Sequence, residues 1–139
     1  MNTLSLKSLF VALLLVFTFA SCGSKETGNN TATGTADGVT GTLTLDKTTF
    51  KVGEAIAISF TVDKKLENNP WIGVIPSEIE HGNEDKNDAH DVSYKYFSNQ
   101  ESGKLDFNAP SKAGKYDFRM HTTDNNGVEI VSLSFEVTE

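Results

Sequence analysis

The chain has 139 residues, 37% of them hydrophobic and 22% charged, and its 12 basic against 19 acidic residues give a formal net charge of −7. Such a surface repels polyanions, so nucleic acid is excluded as a partner and anionic lipid headgroups would not attract the protein by charge. A single cysteine allows no disulfide framework within the chain, so the fold must rest on a hydrophobic core, and the length suits one domain.

The first eight residues are polar apart from Met1, Leu4 and Leu6 and carry one cation, Lys7; Leu9 to Phe17 then form an apolar run. That order is the order of a secretory signal, and the run is shorter than the roughly 20 residues a helix needs to cross a bilayer. Ala20 and Ser21 lead into Cys22, and Phe19-Ala20-Ser21-Cys22 resembles the lipobox of bacterial lipoproteins. The resemblance implies a signal peptide at 1–21, a diacylglyceryl group on the Cys22 thiol, and a membrane partner reached through that lipid. Gly23 after Cys22 resembles lipoproteins not retained in the inner membrane, so the expected location is the outer membrane of a bacterial envelope, on its periplasmic face or at the cell surface. Residues 22–41 hold one bulky apolar side chain, Val39, and predict a flexible tether.

From 42 to 139 apolar and polar residues alternate in short runs, the pattern of half-buried strands. Leu43 and Leu45 open the series; Ile56, Ile58, Phe60 and Val62 mark the next clear strand, set off from Phe50 and Val52 by Gly53-Glu54. Trp71-Ile72-Gly73-Val74-Ile75 is a continuous apolar run, as in a strand covered on both faces. Val92, Tyr94 and Tyr96, then Leu105 and Phe107, then Tyr116, Phe118 and Met120, then Val131, Leu133, Phe135 and Val137 complete the set. Asn68-Asn69-Pro70, Ser102-Gly103, Ala109-Pro110 and Asp124-Asn125-Asn126-Gly127 supply turns, the last read as a hairpin turn. About seven strands with no long helical period predict an all-β, single antiparallel immunoglobulin-like β-sandwich over 42–139.

Trp71-Ile72-Gly73-Val74 and Gly114-Lys115-Tyr116-Asp117-Phe118-Arg119 resemble the Trp-Ile-Gly and Gly-x-Tyr-x-x-Arg strands of Ig-like modules in exported bacterial proteins and of the SKICH domain. The resemblance implies a core tryptophan at Trp71 and a tyrosine corner at Tyr116, and it carries no activity. With Trp71, Gly73 and Ile75 facing the core, Ile72 and Val74 would face outward beneath a cover. Tyr94, Tyr96 and Phe97 could form a carbohydrate platform, but the strand face shared by two of them is expected to be core.

The segment 76–91 is longer than ordinary connections, and such loops are usually functional or disordered. It gathers Glu78, Glu80, Glu84, Asp85, Asp88 and Asp91 with His81 and His90. Glu84, Asp85, Asp88 and Asp91 offer the oxygen ligands calcium prefers, and His81 and His90 with a carboxylate would suit zinc; the spacing matches neither an EF-hand nor a His-Glu-x-x-His helix. The bland alternative is a solvated acidic loop. Ser77-Glu78-Ile79-Glu80 fits a capping box, predicting a helical turn that begins there. Arg119 and His121 are expected to face outward with Asp117, either as a clasp between Arg119 and the acidic loop or as a polar ligand site. No Gly-x-Ser-x-Gly elbow or phosphate-cradling glycine loop is present. The reading is a non-catalytic binding or accessory module without a cofactor, its partner a protein or glycan. The alternatives are a divalent-cation-dependent binding protein using 76–91 and a small metallohydrolase.

Overall fold

The computed structural model describes residues 28–139; the expected signal at 1–21, Cys22 with its lipid, and the start of the expected tether lie outside the described residues. Asp37 and Gly38 both have positive φ, 49° and 66°, as the two central residues of a tight hairpin turn require. They join Asn30–Ala36 (β1) to Val39–Leu45 (β2), with Ala36 opposite Val39. On one face of this hairpin three threonine pairs meet hydroxyl to hydroxyl: Thr31 with Thr44 at 3.1 Å, Thr33 with Thr42 at 3.0 Å and Thr35 with Thr40 at 3.1 Å. On the other, Val39, Leu43 and Leu45 enter the core. The tether expected over 22–41 is therefore corrected: residues 30–36 and 39–41 are strand joined by a turn, held mainly by β-branched cross-strand pairs and main-chain bonds, with Val39 as the one bulky apolar anchor.

The remaining elements are Thr49–Lys51 (β3), Ala55–Val62 (β4), Trp71–Pro76 (β5), Glu84–Asp88 (α1), Ser93–Tyr96 (β6), Ser102–Asn108 (β7), Gly114–His121 (β8) and Glu129–Thr138 (β9). They form a β-sandwich of a four-stranded sheet, β1-β2-β4-β7, and a five-stranded sheet, β3-β9-β8-β5-β6. Nine strands stand where seven were expected, the additions being β1 and the three-residue β3. The sandwich is antiparallel as expected, with one exception at a sheet edge, where three-residue β3 pairs in parallel with β9.

Ile56, Ile58 and Phe60 of β4 and Phe107 of β7 pack against Ile72, Val74, Phe118, Met120 and Phe135 of the other sheet. Phe107 meets Phe118 edge-on, with ring centroids 5.1 Å apart, and Phe118 stacks on Phe135 at 4.8 Å. Tyr116 Oη donates to the Lys112 carbonyl at 3.0 Å, the bond of a tyrosine corner. Gly34 lets β1 close on β9, since a Cβ there would lie 2.2 Å from the Ile130 carbonyl oxygen.

The facing of β5 is the reverse of the expectation. Ile72 and Val74 pair with Met120 and Phe118 on the core side, whereas Trp71, Gly73 and Ile75 pair with His121, Arg119 and Asp117 on the outer side. Both sets are buried, because segment 77–91 roofs the outer face of the sheet.

Candidate functional site

That roofed outer face gathers the chemistry-bearing residues. At its centre Arg119, fully buried, donates from Nε and Nη2 to Asp117 Oδ2 at 3.2 and 2.8 Å, the two side chains lying two residues apart on one face of β8. Its remaining donors reach the roof: Nη1 to Asn87 Oδ1 at 2.7 Å and to the Glu80 carbonyl at 3.2 Å, and Nη2 to the Ile79 carbonyl at 2.8 Å. Asp117 Oδ1 accepts from Ser77 Oγ at 2.9 Å and Ser134 Oγ at 2.7 Å. Burial pushes the Asp117 carboxyl up, but the bonds from Arg119, Ser134 and Ser77 outweigh it and hold its pKa below the ordinary value. Arg119 thus meets the roof through carbonyls and Asn87, and its carboxylate partner comes from its own strand.

The roof is ordered by short-range bonds. The Ile79 amide donates to the Pro76 carbonyl at 3.0 Å, making a turn, while Ser77 is spent on Asp117. The helix expected to start at Ser77 instead starts at Glu84, where Asn83 Oδ1 caps it by accepting from the Lys86 amide at 3.0 Å. Glu129 grips the roof from β9: Oε1 pairs with His81 Nδ1 at 2.8 Å and Oε2 accepts from the Gly82 amide at 3.1 Å. His81 Nε2 lies 3.7 Å from Asp117 Oδ2.

One end of the face is aromatic. The Trp71 ring stacks on His121 with centroids 4.2 Å apart and planes 16° from parallel, and it covers Gly73, where a Cβ would lie 2.4 Å from the ring. Burial, then the Arg119 charge, pushes His121 down to about 3, so it stands neutral. Beside this stack β6 forms the sheet edge, with Tyr96 opposite Trp71 and Tyr94 opposite Gly73. Tyr94 meets Trp71 edge-on at 6.1 Å and Tyr96 edge-on at 5.3 Å, yet the two tyrosines are 47% and 42% exposed. Val92 beside them is exposed as well. Tyr96 Oη donates to Asp124 Oδ2 at 2.8 Å, which fixes the ring. The expectation that this face of β6 is core is overturned; only Phe97, beyond the strand's end, enters the core.

An acidic group adjoins this edge through Asp124. Glu84 and Asp88, one turn apart on α1, converge with Asp124 of the β8–β9 connection, one oxygen of each lying within 4.8 Å of the others.

Comparison with known proteins adds a structural likeness. No family model matches the chain, and no curated protein does. Among solved structures, a chitin binding domain from Burkholderia pseudomallei is similar over 66% of this chain, with a TM-score of 0.43 and 13% identity. The match spans 57% of that domain's chain, less than two thirds of its length.

The structure disperses most of the metal candidates read from sequence. Glu84 and Asp88 come together; Asp85 is exposed and outside their group, and Asp91 is half-buried near Asp88. His81, His90 and His121 have separate settings: His81 with Glu129, His90 exposed with Nδ1 on the Lys86 carbonyl at 2.8 Å, His121 against Trp71. Asp124 was missed as a group member because Asp-Asn-Asn-Gly reads as a turn, and it is one: Asn125 and Asn126 both have positive φ. Asp117 belongs to the centre of the face and was named only as a neighbour of Arg119.

Burial, then Asp88, pushes the Asp91 carboxyl up to about 6. A carboxyl with a raised folded pKa favours folding while protonated, so its effect on stability worsens as pH rises from the ordinary carboxylate range to about 6 and stays unfavourable above. Asp91→Asn should therefore raise the melting temperature at neutral pH and remove that part of the pH dependence, as thermal melts across the acid range will read.

Proposed function

We propose that this chain is a non-catalytic binding module of the bacterial cell envelope, anchored through lipid on Cys22 at the outer membrane, whose Tyr94–Tyr96 face receives a glycan. The observation that carries the reading is the exposure of these two rings side by side on edge strand β6, backed by the Trp71–His121 stack. Tyrosine offers a large amphipathic contact at small entropic cost, and here packing and the Asp124 bond have already ordered the rings. Pyranose rings present C–H faces that suit such a surface, while Asp124 and the hydroxyls of Tyr94 and Tyr96 supply polar groups at its border. Net negative charge favours a neutral sugar over an anionic one.

The test is retention of the chain from residue 23 onward, which takes no lipid, on a panel of insoluble neutral β-linked polysaccharides. Wild type should be retained by at least one of them, and Tyr94→Ala with Tyr96→Ala should weaken that binding by about 2 kcal/mol, roughly thirtyfold, as truncation of central aromatic anchors does. Equal retention of the folded double variant would remove the tyrosine face as the site. Retention by none of the polymers would leave the open β6 edge, which can accept a partner's strand, as the better candidate.

A further inference from the structure

We infer that Glu84, Asp88 and Asp124 form a divalent-cation site, for calcium by its chemistry, that ties α1 to the β8–β9 connection. Three acidic oxygens within 4.8 Å would be unremarked on an open surface. Here Glu84 is 2% exposed, and its Oε2 is buried without a hydrogen-bond partner among the described residues. A buried carboxylate oxygen without a partner is costly, and proteins ordinarily pair it or set it on a metal.

The surroundings supply no competing cation. Lys86, the basic residue on α1, pairs with Glu80 at 2.6 Å, and no salt bridge reaches Glu84, Asp88 or Asp124 among the described residues. Burial raises the Glu84 pKa, the Asn125 amide opposes this, and Asp85, Asp88 and Asp124 raise it further. A dication would reverse that balance by neutralising the charges that repel one another. Carboxylate oxygens with water and carbonyls are the hard donors calcium takes, six to eight at a time, and no thiol or imidazole belongs to the group.

The site shares Asp124 with the tyrosine face, where Oδ2 accepts from Tyr96 Oη, but it does not rest on the glycan reading, and calcium itself is the probe. The chain from residue 23 onward, stripped with chelator, is titrated with calcium by calorimetry and melted with and without it at neutral pH. Binding should appear at or below millimolar calcium. At about a hundredfold excess over the dissociation constant the melting temperature should rise by about 5 °C or more, reversibly with chelator. Asp88 is exposed, so Asp88→Asn should fold normally and weaken calcium at least about tenfold. Glu84→Gln should abolish the calcium shift while raising the melting temperature of the metal-free protein, because it removes the buried charge. Absence of binding at millimolar calcium, or a shift that persists undiminished in Asp88→Asn, would overturn the site.

Discussion

Replacing Arg119 with alanine should lower the melting temperature by at least about 10 °C, corresponding to a loss of about 3–5 kcal/mol. The size follows from what the guanidinium leaves behind. Asp117, 2% exposed, would keep only Ser77 and Ser134 as hydrogen-bond partners, with the His81 ring 3.7 Å away, and its charge would stand poorly compensated under the roof. The Ile79 carbonyl would lose its bond from Arg119, and Asn87 and Glu80 theirs. Arg119→Lys should recover only part of the loss, since an ammonium cannot span two carboxylate contacts and three roof acceptors at once. Circular dichroism melts measure the first effect, and hydrogen exchange should show residues 77–91 opening ahead of the sheet. The Asp117 pKa is held low, so the pair's contribution is present above the ordinary carboxylate range and fades as pH falls below it. An unchanged melting temperature in Arg119→Ala would mean that the roof is not held from this point.

Trp71→Ala carries the second large effect, also about 3–5 kcal/mol in chemical unfolding, as expected for an aromatic removed from a packed site. The ring is 1% exposed, fills the space above Gly73, stacks on His121 and supports Tyr94. Its loss would leave a cavity beneath the exposed pair, so binding through Tyr94 and Tyr96 should fall together with stability. Trp71→Phe should restore most of the stability. Trp71 is the chain's one tryptophan, so far-ultraviolet circular dichroism is the suitable probe. A loss below about 1 kcal/mol would show that the outer layer collapses onto the gap at little cost.

Three-residue β3, with Phe50 alone buried, is too short to show a period, whereas seven of the nine strands follow from short apolar runs, six by alternation and β5 as a continuous stretch. β1 does not, since its one outward threonine row and small inward residues contain no bulky group; the signal lay instead in Asp37-Gly38 flanked by alternating threonines, a hairpin pattern independent of hydrophobicity. The facing of β5 was illegible for the opposite reason. Trp71 through Ile75 are all buried, so alternation carries no information and the tryptophan could be assigned to either layer. Tyr94 and Tyr96 were misplaced because an aromatic pair on one strand face ordinarily means core; only the position of β6 at the sheet edge, beyond the roof, leaves them exposed. Of the acidic site, Glu84 and Asp88 were readable from their clustering, whereas Asp124 comes from 36 residues further along and joins them only through the fold.

The most direct test of the central claim is a nuclear magnetic resonance titration of the chain from residue 23 onward with millimolar soluble fragments of the polysaccharide panel. Binding at the tyrosine face predicts shifts concentrated at Tyr94, Tyr96, the Trp71 indole N–H and the neighbourhood of Asp124, all absent in Tyr94→Ala with Tyr96→Ala. Shifts centred elsewhere on the sandwich, or none with any fragment, would contradict it.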